Sequence, residues 1–402
     1  LRIRRTLPGS HLPAGDQSFI QEFFEYDSTF NFVSKHIDGK GNATTFLYDN
    51  EGNHVHTQHR IPSINEDFEY NEFGQLTAQT YPDNGSNSRR RDQYSYFNSG
   101  AQRGYRQQSI ADSGNFNLTT SYQYDAVGNI VRVVDPRGHD TQYAVNQLDQ
   151  IVRTISREVT EGNNIRYQRD IFYDANNNVI RRDIQNINEQ GVLQGNTHFS
   201  QTYKYEILDF ITQMTDEVDA NKTIVTQYEY DSNRNRTVEL YGEAVNGNQS
   251  NNRVNYQYDE RDLVLKSILA EGDDDQSSSL YDYDTNRNLT KKTIGLEDSK
   301  PRVYQTIFDG YDRAVALNDP MGNDATFNYD ANNNVVTRLA RGEQLDGVGN
   351  TGNIRLYETS ISYDPLDRQV REEKSFFDTA TQVAIADGLS IQQTFYSDNS
   401  QV

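Results

Sequence analysis

The residues whose types suit chemistry fall into a few short clusters. His54, His56 and His59, in the run Asn53-His54-Val55-His56-Thr57-Gln58-His59, are the one histidine cluster. Alternate residues of a strand share a face, so His54 and His56 read as a two-point clamp for a divalent cation. No carboxylate falls on that face nearby, and solvated histidines on an ordinary strand are the expectation. Asp273, Asp274 and Asp275 follow Glu271-Gly272. Calcium favours such oxygen-rich runs, but the alternating loop spacing and closing Glu are missing, so a solvated charge run is expected. Arg89, Arg90 and Arg91 read as an exposed, solvated loop, with a processing site or an anion contact as the sharper alternatives. No Ser, His and Asp take a triad spacing, and no phosphate loop or nucleophile elbow occurs. With no cysteine in 402 residues, thiol catalysis and Cys-ligated metals are excluded. The catalytic, cofactor and metal residues expected from the sequence are therefore none.

The elements around these clusters are more informative than the clusters. The net charge of −21 opposes phosphate neutralisation, so no nucleic-acid partner is expected. No apolar run approaches the roughly 20 residues of a membrane helix, so no membrane span is expected. The chain holds 27 tyrosines, is rich in asparagine, and has no tryptophan. Aromatic residues favour strands and Asn favours turns, which together describe many strands joined by many tight turns.

Repetition organises these residues. The clearest unit is Ser121-Tyr122-Gln123-Tyr124-Asp125-Ala126-Val127-Gly128-Asn129-Ile130, running on to Asp135-Pro136-Arg137-Gly138. Its Tyr-Asp anchor returns at Tyr26-Asp27, Tyr48-Asp49, Tyr173-Asp174, Tyr230-Asp231, Tyr283-Asp284 and Tyr329-Asp330. A second flavour has Asp-Arg or Leu-Asp in place of Gly-Asn, as at Tyr258-Asp259, Tyr311-Asp312 and Tyr363-Asp364. Counting degenerate copies, 15 anchors run from Tyr26 to Tyr396, about 26 residues apart. Tyrosines at i and i+2, such as Tyr122 and Tyr124, share one strand face. Asp125 is placed to accept its own downstream amides, and Gly128-Asn129 supplies positive φ. Ile130 onward is the return strand, and Asp135-Pro136-Arg137-Gly138, like Asp319-Pro320-Met321-Gly322, is a second turn. Each unit is two strands and two turns, giving on the order of thirty strands and almost no helix.

Tyr-on-Tyr ladders across neighbouring strands are expected to stabilise the stack by about 0.2–1 kcal/mol per pair. Return-strand arginines Arg132, Arg153, Arg181 and Arg338 are expected to pair with turn carboxylates or to stack on tyrosine rings. Asn186 to Gly191 and Gln382 to Leu389 read as long loops. Val192 to Thr197, Asn246 to Asn252 and Gly342 to Gly352 read as insertions between units. Asn-x-Ser/Thr acceptors stand at Asn42, Asn84, Asn117, Asn221, Asn235, Asn248 and Asn288.

The Tyr-Asp-x-x-Gly-Asn core with its Asp-x-x-Gly turn resembles the YD repeat, also called the RHS repeat. That family includes bacterial Rhs proteins, Tc toxin B and C subunits, wall-associated proteins and teneurins. The resemblance runs from Tyr26 to Tyr396. It implies an all-β array in which a long antiparallel sheet strip spirals into a hollow shell or barrel. It also implies a non-catalytic structural role enclosing a toxin or effector cargo, in a secreted or cell-surface protein. The alternative it implies is an adhesion scaffold with a glycan or surface partner. Toxin members end in an Asp-Pro-x-Gly-rich core that cleaves the effector autoproteolytically. Asp135-Pro136 and Asp319-Pro320 have that look but sit inside repeats, where a turn role is expected. The whole of 1–402 reads as one continuous array, truncated at both ends of a larger protein. Its nearest partner is then the rest of its own chain.

Overall fold

A computed structural model describes residues 2–6, 19–85, 89–156, 158, 165–343 and 352–396. Among these residues thirty strands run from β1 (Arg2–Thr6) to β30 (Ala384–Gln393), and all belong to one sheet whose pairings are antiparallel. The one helix, α1 (Gly242–Val245), is four residues long. The repeat is seen plainly at β10 (Leu118–Tyr124), β11 (Ile130–Val134) and β12 (Asp140–Val145), each paired with the next.

Every well-formed repeat carries a β-bulge that alternation alone does not reveal. Gln123 pairs with Arg132, but Tyr124 pairs with Ile130, so Val131 is the extra residue. The same shift falls at Tyr48, Tyr173, Tyr230, Tyr258, Tyr283, Tyr329 and Tyr363. An inserted residue reverses which face the return strand presents. In β5 (His54–Gln58) the partners are Tyr48 with His54 and Leu47 with His56, so the two histidines lie on opposite faces. The shared-face expectation fails for that reason.

Three of the expected loops are structured. Val179–Ile187 (β15) and Leu193–Tyr205 (β16) form a long hairpin closed by a turn at Asn188 to Gly191, with Gly191 at φ +75°. This shortens the expected Asn186–Gly191 loop to the turn at 188–191 and puts most of the Val192–Thr197 insertion on a strand. Strand β30 takes most of the expected Gln382–Leu389 loop and pairs with β29 (Gln369–Phe377). These segments are exposed on both faces, so backbone pairing holds them without the alternation that marks a half-buried strand. Asn246 to Asn252 is the loop after α1, and most of 342–352 lies outside the described residues.

Contacts divide the chain into two units. One comprises Leu1–Tyr94, Ile110–Leu118 and Ser279–Val402, and the other Ser95–Ser109 and Thr119–Ser278. The fully buried apolar side chains among the described residues are only Ile64, Ala78, Ile268 and Ile361. A sheet with both faces toward solvent leaves few side chains enclosed. Little of the stability comes from a core, so it must come from the ladders, the turns and the polar contacts between repeats.

Candidate functional site: Asp turns and the seam they form

Each Tyr-Asp turn is held by its aspartate. Asp125 Oδ1 accepts from the amides of Val127, Gly128 and Asn129 at 2.8–3.0 Å, while Oδ2 accepts from Asn129 Nδ2 at 3.0 Å. The same bonds to the residues two and four positions on recur at Asp49, Asp174, Asp231, Asp284 and Asp330. In the second flavour, arginine replaces the asparagine amide. Arg313 and Arg368 bind Asp309 and Asp364 from four residues on, and Arg261 binds Asp259 from two. Hydrogen bonds to the ionised form hold the Asp125 and Asp174 carboxyls below the usual range, the Asn129 side chain and the Asn178 amide leading. The residue three positions after the aspartate has positive φ: Gly52 and Gly128, but also Asn177, Arg234, Asp262, Asp312, Asn333 and Asp367. At Gly128 glycine is needed twice over, because a Cβ there would meet Tyr105 Oη at 2.5 Å.

In nine of the repeats the anchor tyrosine ties its repeat to the previous one. Tyr48, Tyr124, Tyr173, Tyr205, Tyr230, Tyr258, Tyr329, Tyr363 and Tyr396 each donate from the hydroxyl to a backbone carbonyl, respectively of Val33, Arg106, Ile151, Val179, Ile211, Arg236, Ala314, Val335 and Gln369. These distances are 2.7–3.0 Å. Tyr105 and Tyr124 form a Tyr-on-Tyr ring pair, 5.1 Å between centroids. The anchor phenol also serves as a polar hook, and several anchor rings pack on Phe, His or Arg, as Tyr48 does on Phe32 and His54 and Tyr329 does under Arg313 at 4.7 Å.

From the Tyr124 repeat to the Tyr363 repeat the two flavours alternate, and the alternation is itself a contact. Asn129, Asn178, Asn235, Asn288 and Asn334 each donate a second amide bond to the left-handed Asp of the next repeat, namely Asp149, Asp209, Asp262, Asp312 and Asp367, at 2.6–2.9 Å. Over that stretch the structural unit is a pair of repeats.

Within the first unit, two turn edges of the sheet meet far apart in sequence. The second turns of early repeats lie against the Tyr-Asp turns of repeats about 250 residues later. Arg60 Nη1 sits between Asp38 Oδ2 (2.8 Å) and Asp312 Oδ2 (2.5 Å), with its guanidinium 5.6 Å from the Tyr311 ring. Asn286 Nδ2 bridges Asp38 and Asp312 at 3.0 and 2.9 Å. Lys40 donates to the Asp309 carbonyl and stands 3.5 Å from Asp284. Gly310 lets the edges close, since a Cβ there would lie 2.9 Å from Asn42 Oδ1. Further along, Asn84 Nδ2 donates to the Asp364 carbonyl (2.8 Å) and Asp367 Oδ1 (3.1 Å), and Arg368 stacks on Phe116 at 5.0 Å. Burial works to raise the Asp312 carboxyl, but Asn286, Asn288 and Arg60 outweigh it and leave it lowered. For Asp38 burial is likewise outweighed, by the Asn42 amide and the Asn286 side chain. Asp330 runs the other way: burial, with some help from the Asp367 charge, raises it. Arg60 was not singled out in the sequence, Asn84 was named there only as an Asn-x-Ser acceptor, and Asp312 only as part of a second-flavour Tyr-Asp pair rather than as a seam residue. Their signal was the Asp of the second flavour, legible only once its role opposite an edge is seen.

The remaining sequence candidates are absorbed into structure. His56 Nδ1 is 2.7 Å from Asp67, and His59 Nε2 is 2.9 Å from Glu66, so carboxylates reach both from the next strand, contrary to expectation. His54 lies among Phe46, Tyr48 and Phe68 rather than in solvent, and burial lowers its pKa. No group of three metal-ligating side chains converges among the described residues. Arg89, Arg90 and Arg91 are not a solvated loop: Arg89 binds Asp67, Arg90 binds Asp92 and stacks on Tyr81, and Arg91 opens a strand and binds Glu69. Burial, with the Asp92 charge behind it, pushes the Tyr81 phenol up to about 12. Arg132, Arg153 and Arg181 do find carboxylates, but on strands: Asp140, Asp170 and Asp183, each at 2.6 Å. Asp273 closes an exposed turn. Each unit has a shallow hollow on the sheet. One of about 590 Å³ is lined by Ala144, Leu148, Phe172 and Tyr173, and one of about 480 Å³ by Tyr304, Leu317, Ala325 and Leu356.

No family model matches the chain, and no curated protein matches it. Solved structures do. TcdB2-TccC3-TEV aligns at a TM-score of 0.59 and 13% identity, over 95% of this chain and 22% of the other. The chain has the fold of a TcdB2-TccC3 segment. TcdB2-TccC3 without its hypervariable C-terminal region aligns at 0.58 and 12%, over 95% and 22%. TcdB2-TccC3 itself aligns at 0.56 and 12%, over 94% and 23%. The chain thus spans between a fifth and a quarter of the length of these structures. No helix among its described residues is long and apolar enough to cross a membrane.

Proposed function

We propose that this chain is a wall segment of a YD-repeat shell, secreted, non-catalytic, and built to enclose a polypeptide cargo such as a toxin or effector. The observation that carries the reading is the one-layer sheet, whose edges meet along a hydrogen-bonded seam and whose fold is that of TcdB2-TccC3 over nearly all of the chain. A wall has to present two faces and seal its edges, and the polar ties between repeats serve that need better than a packed core. Enclosure also suits a sheet whose side chains are consumed by structural bonds, with binding work left to area and exclusion rather than to a pocket.

Small-angle scattering tests it. A compact chain of this length has a radius of gyration of about 21 Å. A wall gives a clearly larger value with a pair-distance distribution skewed to long distances. A compact value would overturn the reading.

A further inference from the structure

The seam contains an Asn-Gly step, Asn84-Gly85, and the geometry points to it as a deamidation site that the closed seam shields and that, once reacted, holds the seam open. In deamidation the backbone nitrogen of the following residue attacks the side-chain carbonyl carbon. A new C–N bond forms, the C–N bond of the side-chain amide breaks, and ammonia leaves. Water then opens the succinimide to aspartate or isoaspartate. Glycine favours the attack because no Cβ hinders its nitrogen, and asparagine is among the thermolabile residues.

Both reacting groups are restrained in the closed seam. Asn84 is 6% exposed, and its amide nitrogen, the leaving group, donates to the Asp364 carbonyl and to Asp367 Oδ1. The attacking nitrogen of Gly85 donates to Asp83 Oδ1 at 2.9 Å. The product reverses the chemistry of the contact. An aspartate at 84 brings acceptor oxygens against a carbonyl and a carboxylate, where an amide had supplied donors. Asp367 already takes amides from Asn332 and Asn334, and a carboxylate has acceptors alone to offer. The reaction is irreversible under these conditions, so one opening event long enough for attack is recorded permanently. An internal reference exists at Asn246-Gly247, where Asn246 follows α1 in an exposed loop.

Peptide mapping by mass spectrometry of the folded chain, aged at mildly alkaline pH, separates the outcomes. The amide-to-acid mass shift should accumulate at Asn246 at least ten-fold faster than at Asn84, and Asp367→Ala should raise the Asn84 rate while leaving Asn246 unchanged. Equal rates at the two sites, or no response to Asp367→Ala, would overturn the shielding. The consequence is tested apart from the rate. Asn84→Asp should lower the thermal midpoint by a few degrees, and adding Asp367→Asn should restore it. Asn at 367 offers its NH₂ to the new carboxylate, keeps an oxygen for Asn332 and Asn334, and tolerates positive φ. A wild-type midpoint for Asn84→Asp, or a double variant no better than the single, sinks the locking claim. None of these readouts depends on whether the wall encloses cargo.

Discussion

A tyrosine hydroxyl and an aspartate carboxylate do most of the local work in each repeat. Tyr258 illustrates the first: its hydroxyl bonds the Arg236 carbonyl at 2.7 Å, and burial raises its pKa. Tyr258→Phe keeps the ring and deletes the bond, so urea unfolding should show a loss of about 0.5–1.5 kcal/mol, the usual net worth of one such bond. An unchanged midpoint would mean the carbonyl is equally well served by water. The aspartate role was readable from sequence, because a residue that accepts its own downstream amides needs only local spacing. The tyrosine role was not. Alternation shows that a ring faces one side of the sheet, and says nothing of a carbonyl fifteen to thirty residues back.

Strands and turns were legible as types, and their mutual fit was not. Thirty strands follow from the anchor spacing, yet the bulge beside each anchor tyrosine depends on a five-residue turn geometry that has no apolar signature. That single residue reversed the face reading for His54 and His56. The alternation of flavours was visible as two kinds of text without a reason. The reason is the Asn-to-Asp bond between successive turns, as from Asn178 to Asp209 at 2.6 Å. A double-mutant cycle of Asn178→Ala and Asp209→Ala should return a coupling of about 0.5–1.5 kcal/mol, since contacting residues do not add. Additivity would reduce the pairing of repeats to coincidence of distance.

At the scale of the molecule, the seam sets how the array responds to its medium. Asp38 and Asp312 have carboxyls held below the ordinary value of 3.8, so their ionised forms stabilise the folded state. That stabilisation is complete above the unfolded carboxyl range and is lost as pH falls through the lowered values. The protection of the backbone amides at 36–42 and 309–313, measured by hydrogen exchange against the intrinsic rate at each pH, should therefore be high at neutral pH and should fall below about pH 4. Asp330, raised instead, opposes this by shedding its charge on acidification. Arg60→Ala should produce the same opening at neutral pH, at a cost of about 1–3 kcal/mol for the charged hydrogen bonds that Asp38 and Asp312 lose, their Asn286 bonds remaining. Protection retained in that variant would show that the seam rests on Asn286 and Lys40. The seam also ties the fate of distant positions together. Asp312 and Asp367 meet Arg60 and Asn84 across 252 and 283 residues of chain. A change at one partner leaves the other facing a group it was not built for, so the two can drift only as a pair. Residues that are strangers in the text of the chain are inherited as neighbours.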